Sequence, residues 1–205
     1  DAQESRGLGD VYKRQRAFSA SHGWSNFIPM LCAFQLLLRS RSGEHDILVG
    51  VPAANRHHAA LQPLVGCFVN TLVYRQKLSG TASLLQHMNA LQALSVAVQS
   101  HQDLPFDYLI EQLGVARQVS YNPLFQAMFN YQVDHLGERN LQLPGVTVAP
   151  LVLPQGAVSA KFDLTFNLFS QGRGDQASSQ LIVEYATALF DPARIQCLVD
   201  DYLGV

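Results

Sequence analysis

The sequence has few charged residues and few cysteines, and both shortages exclude classes of protein. Only 15% of its 205 residues are charged, and the formal net charge is −2; an average protein is about one quarter charged. No basic stripe is present, so we predict no nucleic acid and no membrane as partners. The three cysteines, Cys32, Cys67 and Cys197, are odd in number and lie in apolar surroundings. This pattern favours reduced core thiols in a cytoplasmic protein over a disulfide framework.

Several further features are missing from the sequence. No apolar run reaches the ~20 residues of a membrane helix, and the first residues lack the apolar segment of a signal peptide. There is no nucleophile elbow, phosphate-binding loop, dinucleotide-binding glycine motif or zinc pattern of cysteines and histidines. The residues alone therefore predict no metal site and give no complete catalytic set. The hydrophobic content of 48% is nevertheless enough for a large core.

The fold class follows from the order of apolar patterns along the chain. Helical spacing or capping signals predict helices, and β-branched or alternating runs predict strands. The predicted helices are residues 24–39, 81–98, 105–114 and a last one from 191; the predicted strands are 46–52, 65–75, 124–132, 146–153, 161–170 and 180–188. This order predicts an α/β (mixed α+β) fold with a mixed sheet covered by helices.

Residues 1–15 do not match the rest of the chain. They are polar and without period, and the segment GLGDVYKRQ resembles translated sequencing-adapter read-through. We predict a non-native or disordered leader over 1–15 and one lobe over 16–205.

Asn70 is the most informative polar residue of the chain. It lies in the predicted strand 65–75, where alternation places it on one face with Phe68, Leu72 and Tyr74. An amide among large apolar side chains must find hydrogen-bond partners or destabilise the fold. Two interpretations stay open: a structural amide bound to a neighbouring segment, or a side chain that points into a site.

The histidines are weaker candidates for chemistry. His57 and His58 are adjacent, and no ligand-type residue follows at metal spacing, so we predict exposed loop histidines. His101 and Asp103 are two residues apart at a predicted helix end, which favours capping and loop closure over an acid–base pair. The tripeptide at 173–175, Arg-Gly-Asp, is typical of a hairpin turn between strands.

Three stretches in order carry a resemblance to a known family. Residues 65–75, VGCFVNTLVYR, resemble a "GxFVNT…R" motif, and residues 101–107, HQDLPFD, resemble "HQDxPFE". Residues 117–126, RQVSYNPLFQ, resemble "RDxSRNPLFQ" with departures at Gln118 and Tyr121. Together with GVPAANR at 50–56 and KFDLT at 161–165, they resemble the condensation domains of non-ribosomal peptide synthetases.

The resemblance implies a chloramphenicol-acetyltransferase-like fold of two lobes, of which this chain corresponds to the C-terminal one. It implies an acyltransferase that forms an amide bond between carrier-tethered thioesters, with phosphopantetheine brought by the carrier and no directly bound cofactor. The family's catalytic "HHxxxDG" motif belongs to the N-terminal lobe. His57 and His58 are followed by Gln62 and Pro63 where that motif has Asp-Gly, so we expect no catalytic residue on this chain and an inactive fragment.

Motif matches also give expected roles to single residues. Asn70 is expected to line the substrate tunnel, which makes its two interpretations equally supported. The other matched positions are expected to be structural: Gly66, Phe68, Arg75, His101, Asp103, Pro105, Asn122, Pro123 and Asp163. Arg75, Asp103 and Asp163 are expected in buried ion pairs or caps, where removing one partner is costly.

The implied partners are the N-terminal lobe of the same domain, carrier domains and a neighbouring adenylation domain. Two alternatives remain: a non-catalytic module that docks carriers, and a free-standing acyltransferase of the same fold. Because a lobe normally covers its inner wall with its partner lobe, we expect residues 16–205 to be poorly soluble alone.

Overall fold

A computed structural model describes residues 9–115, 122–134, 145–146, 159–171 and 178–204. The helices are α1 (Gly9–Ser21), α2 (Phe27–Ser42), α3 (Leu84–Ser100), α4 (Phe106–Leu113) and α5 (Pro192–Gly204). The strands are β1 (Asp46–Ala53), β2 (Asn70–Lys77), β3 (Ala127–Asp134), β4 (Leu164–Gln171) and β5 (Ser178–Tyr185), and a short 3-10 helix covers Ala59–Leu61. None of the described helices is both long and apolar enough to cross a membrane.

The strands form one mixed sheet in the order β2-β1-β3-β4-β5. β1 pairs antiparallel with β2 and parallel with β3, while β4 pairs parallel with β3 and antiparallel with β5. The main core lies between this sheet and helices α2, α3 and α5. Phe34 of α2 is fully buried at its centre, with its ring 4.6 Å from that of Phe166 and 5.4 Å from that of Phe129. The predicted mixed α/β lobe is confirmed.

Local signals set the ends of most helices. α2 ends where Gly43 adopts a left-handed conformation, and α4 ends at Gly114 in the same way. Asp191 caps α5 because its Oδ1 accepts the N–H of Arg194 at 2.8 Å. The predicted start of α3 at Thr81 is wrong, since Ser83 and Gln86 form a reciprocal capping box two residues later.

The predicted strand at 65–75 begins too early. β1 ends at Ala53, whose partner is Asn70, so residues 65–69 have no neighbouring strand to pair with. β3 also starts later than predicted, because Asn122 holds the backbone before it in a turn. Residues 117–121 of the third motif and the Arg-Gly-Asp turn lie outside the described residues, and so does the predicted strand at 146–153 apart from its first residue.

The first helix overlaps the predicted leader. α1 begins at Gly9, so the boundary drawn after residue 15 falls inside a helix. The non-native origin of residues 1–15 stays a prediction.

The cysteines divide into one buried and two exposed thiols. Cys32 is fully buried in α2, and burial raises the pKa of its thiol to about 12. Cys67 and Cys197 are exposed, so the prediction of core thiols is wrong for both. Cys67 lies in the loop before β2, and Cys197 lies on the outer side of α5.

We expect this division to appear in thiol titration. Because the thiolate is the reactive form, an aromatic disulfide reagent at pH 8 should modify two thiols quickly and the third only on unfolding. Cys32→Ala should leave the two fast reactions unchanged. Three equally fast thiols in the folded protein would contradict the placement of Cys32.

Candidate functional site

The motif stretches meet beside the start of β2, and Asn70 is the residue that joins two of them. Its side-chain amide donates from Nδ2 to the carbonyl oxygens of Gln102 and Leu104, both at 2.8 Å. Its Oδ1 accepts the backbone N–H of Phe106 at 3.1 Å. The side chain thus binds three backbone groups of the turn between α3 and α4, and we call these three hydrogen bonds the Asn70 clamp.

The turn held by the clamp is the HQDLPFD motif. His101 ends α3, and its carbonyl oxygen accepts the N–H of Leu104 at 3.1 Å. Pro105 stands immediately before α4, one position earlier than the first helical turn in which it was predicted, and its carbonyl accepts the N–H of Leu109. The backbone N–H of Phe106 cannot be satisfied inside α4, because it belongs to the first turn of the helix. Asn70 supplies its acceptor.

A second residue, Arg56, organises the loop that leads to Asn70. Its guanidinium donates to the carbonyl oxygens of Leu61, Leu64 at 2.8 Å and Gly66 at 3.0 Å. The same group lies over the ring of Phe68, with 4.4 Å between Cζ and the ring centre. Sequence reasoning matched Arg56 to a motif but gave it no role. The signal that the sequence offered was its place at the end of the matched stretch GVPAANR at 50–56.

The histidine after Arg56 reaches the clamped turn. Nε2 of His57 lies 3.6 Å from Oδ1 of Asp103, and both side chains are largely exposed. His58 accepts the N–H of Ala60 and starts the short 3-10 helix. The prediction of exposed loop histidines is confirmed, whereas the expectation of a buried pair for Asp103 is wrong because this pair faces solvent.

An aromatic cluster connects the remaining motifs. The ring of Phe125 lies between the rings of Phe106 at 5.6 Å and Phe162 at 5.3 Å, and it is almost completely buried. It also covers Gly50 of β1, where a Cβ atom would lie 2.3 Å from the Phe125 ring. These four residues come from four different matched stretches. None was predicted as a site residue, since an apolar letter inside a motif resembles ordinary core.

Asn122 and Pro123 form the turn that precedes β3. Oδ1 of Asn122 accepts the backbone N–H groups of Leu124 and Phe125 at 3.1 and 3.3 Å. This is the turn that asparagine forms with its own backbone, and Pro123 fits it because its φ is fixed. The turn places the Phe125 ring over Gly50.

Arg75 differs from what its motif led us to expect, whereas the expected structural role of Asp163 stays a prediction. Arg75 forms a two-pronged ion pair with Asp46, with Nε–Oδ1 and Nη2–Oδ2 distances of 3.0 and 2.6 Å. The pair is exposed, since 61% of the Arg75 side chain is accessible, so the expectation of a buried pair is wrong. The carbonyl oxygen of Asp163 accepts the N–H of Ala186, and no ion pair of its carboxylate is found within the described part of the chain.

The exposure of the Arg75–Asp46 pair predicts a small effect of its removal. The hydrogen bond from Arg75 lowers the pKa of the Asp46 carboxyl, so the pair stabilises the fold at neutral pH and is lost as pH falls through that lowered pKa. We expect Asp46→Asn to shift the urea midpoint slightly at pH 7 in low salt, less at 1 M salt, and not at all in acid. A large shift that persists at high salt would contradict a solvent-screened pair.

The described residues do not contain a complete catalytic set. No group of three or more histidine, cysteine or carboxylate side chains that could hold a metal ion is found among them. The clamp, the Arg56 loop and the aromatic cluster bind backbone and pack side chains, and none of them places a base next to a nucleophile. What the arrangement can do is hold two loops and a helix start in fixed relative positions.

Comparison with known proteins gives the family of this arrangement. The family model of the condensation domain matches residues 8–205 of this chain. Malpinin synthetase of Mortierella alpina is 36% identical over 187 residues, which are 91% of this chain and 2% of that protein. Tyrocidine synthase 3 of Brevibacillus parabrevis is 36% identical over 168 residues, which are 82% of this chain and 2% of that protein. The chain spans only 2% to 4% of the length of the first curated relatives that it matches.

Solved structures show the same fold. A four-domain nonribosomal peptide synthetase bound to AMP and glycine aligns with a TM-score of 0.78 and 23% identity, covering 96% of this chain and 16% of that one. The X-domain from teicoplanin biosynthesis, solved in a complex with OxyB, has a TM-score of 0.78 and 22% identity over 93% of this chain and 41% of that one. The resemblance that the motifs carry is confirmed, and this chain belongs to the condensation-domain family.

Proposed function

We propose that this chain is the C-terminal lobe of a condensation domain and forms one wall of a site in which an amine attacks a thioester. The observation that carries the proposal is the convergence of five motif stretches on the clamp and the aromatic cluster, in a chain that the condensation-domain family model matches over residues 8–205. The second wall and the catalytic histidine would come from an N-terminal lobe encoded by the same parent protein. The tethered donor and acceptor would arrive on carrier domains, with phosphopantetheine as their arm and no cofactor bound by this chain.

The reaction would be an acyl transfer from sulfur to nitrogen. The amine nitrogen forms a bond to the thioester carbonyl carbon, the carbon–sulfur bond breaks, and the proton lost by nitrogen balances the one gained by the thiolate. Holding both tethered groups in one tunnel supplies much of the rate, because a reaction between two molecules becomes effectively unimolecular. A lobe that contributes position and no base suits this role.

Exposed apolar side chains near the clamp support the proposal that another lobe or domain covers this surface. Val65 is fully exposed and Val69 is 61% exposed in the loop before Asn70, while Leu104 and Tyr108 are exposed in or beside the clamped turn. Apolar groups concentrated on a loop, the adjacent turn and the first turn of a helix are typical of a surface that another domain covers. We expect the isolated lobe to associate; a monodisperse monomer with cooperative unfolding would count against a half-domain.

A second candidate is a module that docks proteins without catalysis. The X-domain shares this fold and was solved in a complex with another protein, so the fold is compatible with a docking role. The two candidates differ in whether an amide forms.

The experiment is an assay of the complete domain, expressed with the upstream sequence of the parent protein. Two carrier domains, one loaded with an acyl donor and one with an aminoacyl acceptor, are mixed with it, and the dipeptidyl carrier is measured by mass spectrometry. Product that depends on both loaded carriers supports the condensing enzyme. Carrier binding without product supports the docking module, and neither binding nor product would overturn both.

A further inference from the structure

The side chain of Arg56 makes all of its hydrogen bonds outside the main core. Its three carbonyl acceptors, those of Leu61, Leu64 and Gly66, lie five, eight and ten residues further along the chain. Its own carbonyl accepts Nε2 of Gln62 at 2.6 Å. Every one of these contacts falls within the loop at residues 56–68, and no residue of that loop belongs to the core cluster.

The Arg56 side chain supplies the donors for three backbone carbonyl groups of the loop. Because β1 has ended at Ala53, residues 62–69 have no strand to pair with, and the carbonyl groups of Leu64 and Gly66 accept hydrogen bonds from Arg56 instead. A guanidinium offers five N–H groups in one plane and a flat face, so it can bind several carbonyls and stack on the Phe68 ring at once. A lysine has neither the plane nor the number of directed donors.

The loop is also the segment that connects Arg56 to the clamp. It leads directly into Asn70, and His57 at its start faces Asp103 in the clamped turn. Both ends of the loop are therefore linked to the clamped turn, the first through His57 and the last through Asn70. Glycine at position 66 suits the close packing there, because a Cβ atom would lie 3.1 Å from the Phe68 ring.

We propose that Arg56 is a positioning residue for amide formation, which holds the loop at residues 56–68 so that Asn70 and the turn at 101–106 keep their reactive arrangement. This inference rests on the proposed function. The guanidinium of Arg56 is engaged by three loop carbonyls and the Phe68 ring, so it would act on the turnover rate through the loop. Misplacement of a site by about 1 Å can lower a rate ~100-fold, and a loosened loop is expected to cost at least tenfold in kcat. KM for the loaded carriers should change little.

The test measures the loop and the reaction separately in the complete domain. A nitroxide label on Cys67, in a Cys197→Ser background, reports loop mobility by electron paramagnetic resonance, since Cys67 is exposed inside the loop. Arg56→Ala and Arg56→Lys should both sharpen the spectrum and lower kcat, with the thermal midpoint nearly unchanged. Arg194→Ala, on the exposed surface of α5, is the matched control and should alter neither.

Chemical rescue separates positioning from a general loss of stability. Millimolar methylguanidinium should restore part of the kcat and of the label's immobilisation in Arg56→Ala, while methylammonium should not. Phe68→Leu removes only the stacking partner, so it should change label mobility and kcat in the same direction but less. It replaces Arg56→Ala as the test if that variant does not fold.

Each contrary result has a distinct meaning. Unchanged label mobility in a folded Arg56→Ala protein would overturn the positioning role, and so would a mobile label with unchanged kcat. A fall in kcat that only follows a fall in thermal midpoint would reduce Arg56 to a stabilising residue. If the parent forms no amide, the proposed function fails, and the label spectra still decide whether Arg56 holds the loop.

Discussion

Asn70→Ala is expected to lower the free energy of unfolding by about 1–3 kcal/mol, because it leaves two carbonyls and one N–H of the clamped turn without their partner. Water can replace part of the loss, since the side chain is only half-buried. The measurement is urea unfolding of the complete domain. Hydrogen exchange should show the turn at 101–106 and the start of α4 opening more often than in the parent.

Two further variants make the test of the clamp specific. Asn70→Asp keeps the size and the acceptor for Phe106 but loses both donors, and it places a carboxylate opposite two carbonyl oxygens. It should therefore be at least as destabilising as alanine. Asn89→Ala removes an exposed amide on α3 and should stay within about 0.5 kcal/mol of the parent. An Asn70→Asp protein as stable as the parent would refute the clamp.

The same variants bear on the second interpretation of Asn70. The clamp engages both Nδ2 hydrogens, which favours the structural amide. The tunnel-lining role stays a prediction. If Asn70→Ala loses amide formation far beyond what its unfolded fraction explains, the side chain also serves the site.

Gly50→Ala is expected to destabilise the lobe by about 1–3 kcal/mol through overpacking. The new methyl group would lie 2.3 Å from two atoms of the Phe125 ring, which is only 1% exposed and is packed against Phe106 and Phe162. The ring cannot yield without disturbing both neighbours. Urea unfolding of Gly50→Ala measures the cost.

A double-mutant cycle shows whether the contact itself is responsible. Phe125→Leu alone loses packing, yet in the Gly50→Ala background it makes room for the methyl group, so the two changes should cost less together than their sum. Gly204→Ala, where nothing lies within 4 Å of the added Cβ, is the matched control and should be nearly neutral. Strict additivity would mean that Phe125 does not limit position 50.

Local physics explains what could be predicted without the fold. The spacing of Phe27, Leu31 and Phe34 is a property of one helix, and the caps at Gly43 and Asp191 involve atoms only a few residues apart. The asparagine–proline turn at 122–123 is also local, but it was missed, because the alternation that follows it predicts a strand from residue 124. The order of the motifs along the chain identified the family, because that order does not depend on how distant residues meet in the folded protein.

The tertiary structure decided everything that depends on distant partners. Asn70 finds its acceptors 32 and 34 residues away, and the contact of Phe125 with Gly50 likewise joins residues far apart in the sequence. Residues 65–69 look like a strand, but pairing requires a neighbour, and β1 has already ended. Arg75 has a carboxylate partner as expected. The exposure of the pair depends on what covers β2, however, and in the fold the pair lies at the surface. The sequence by itself determined most of the helices and strands, the caps at Gly43, Gly114 and Asp191, and the family; the packing of loops against each other determined which motif residues bind backbone, which pack, and which face solvent.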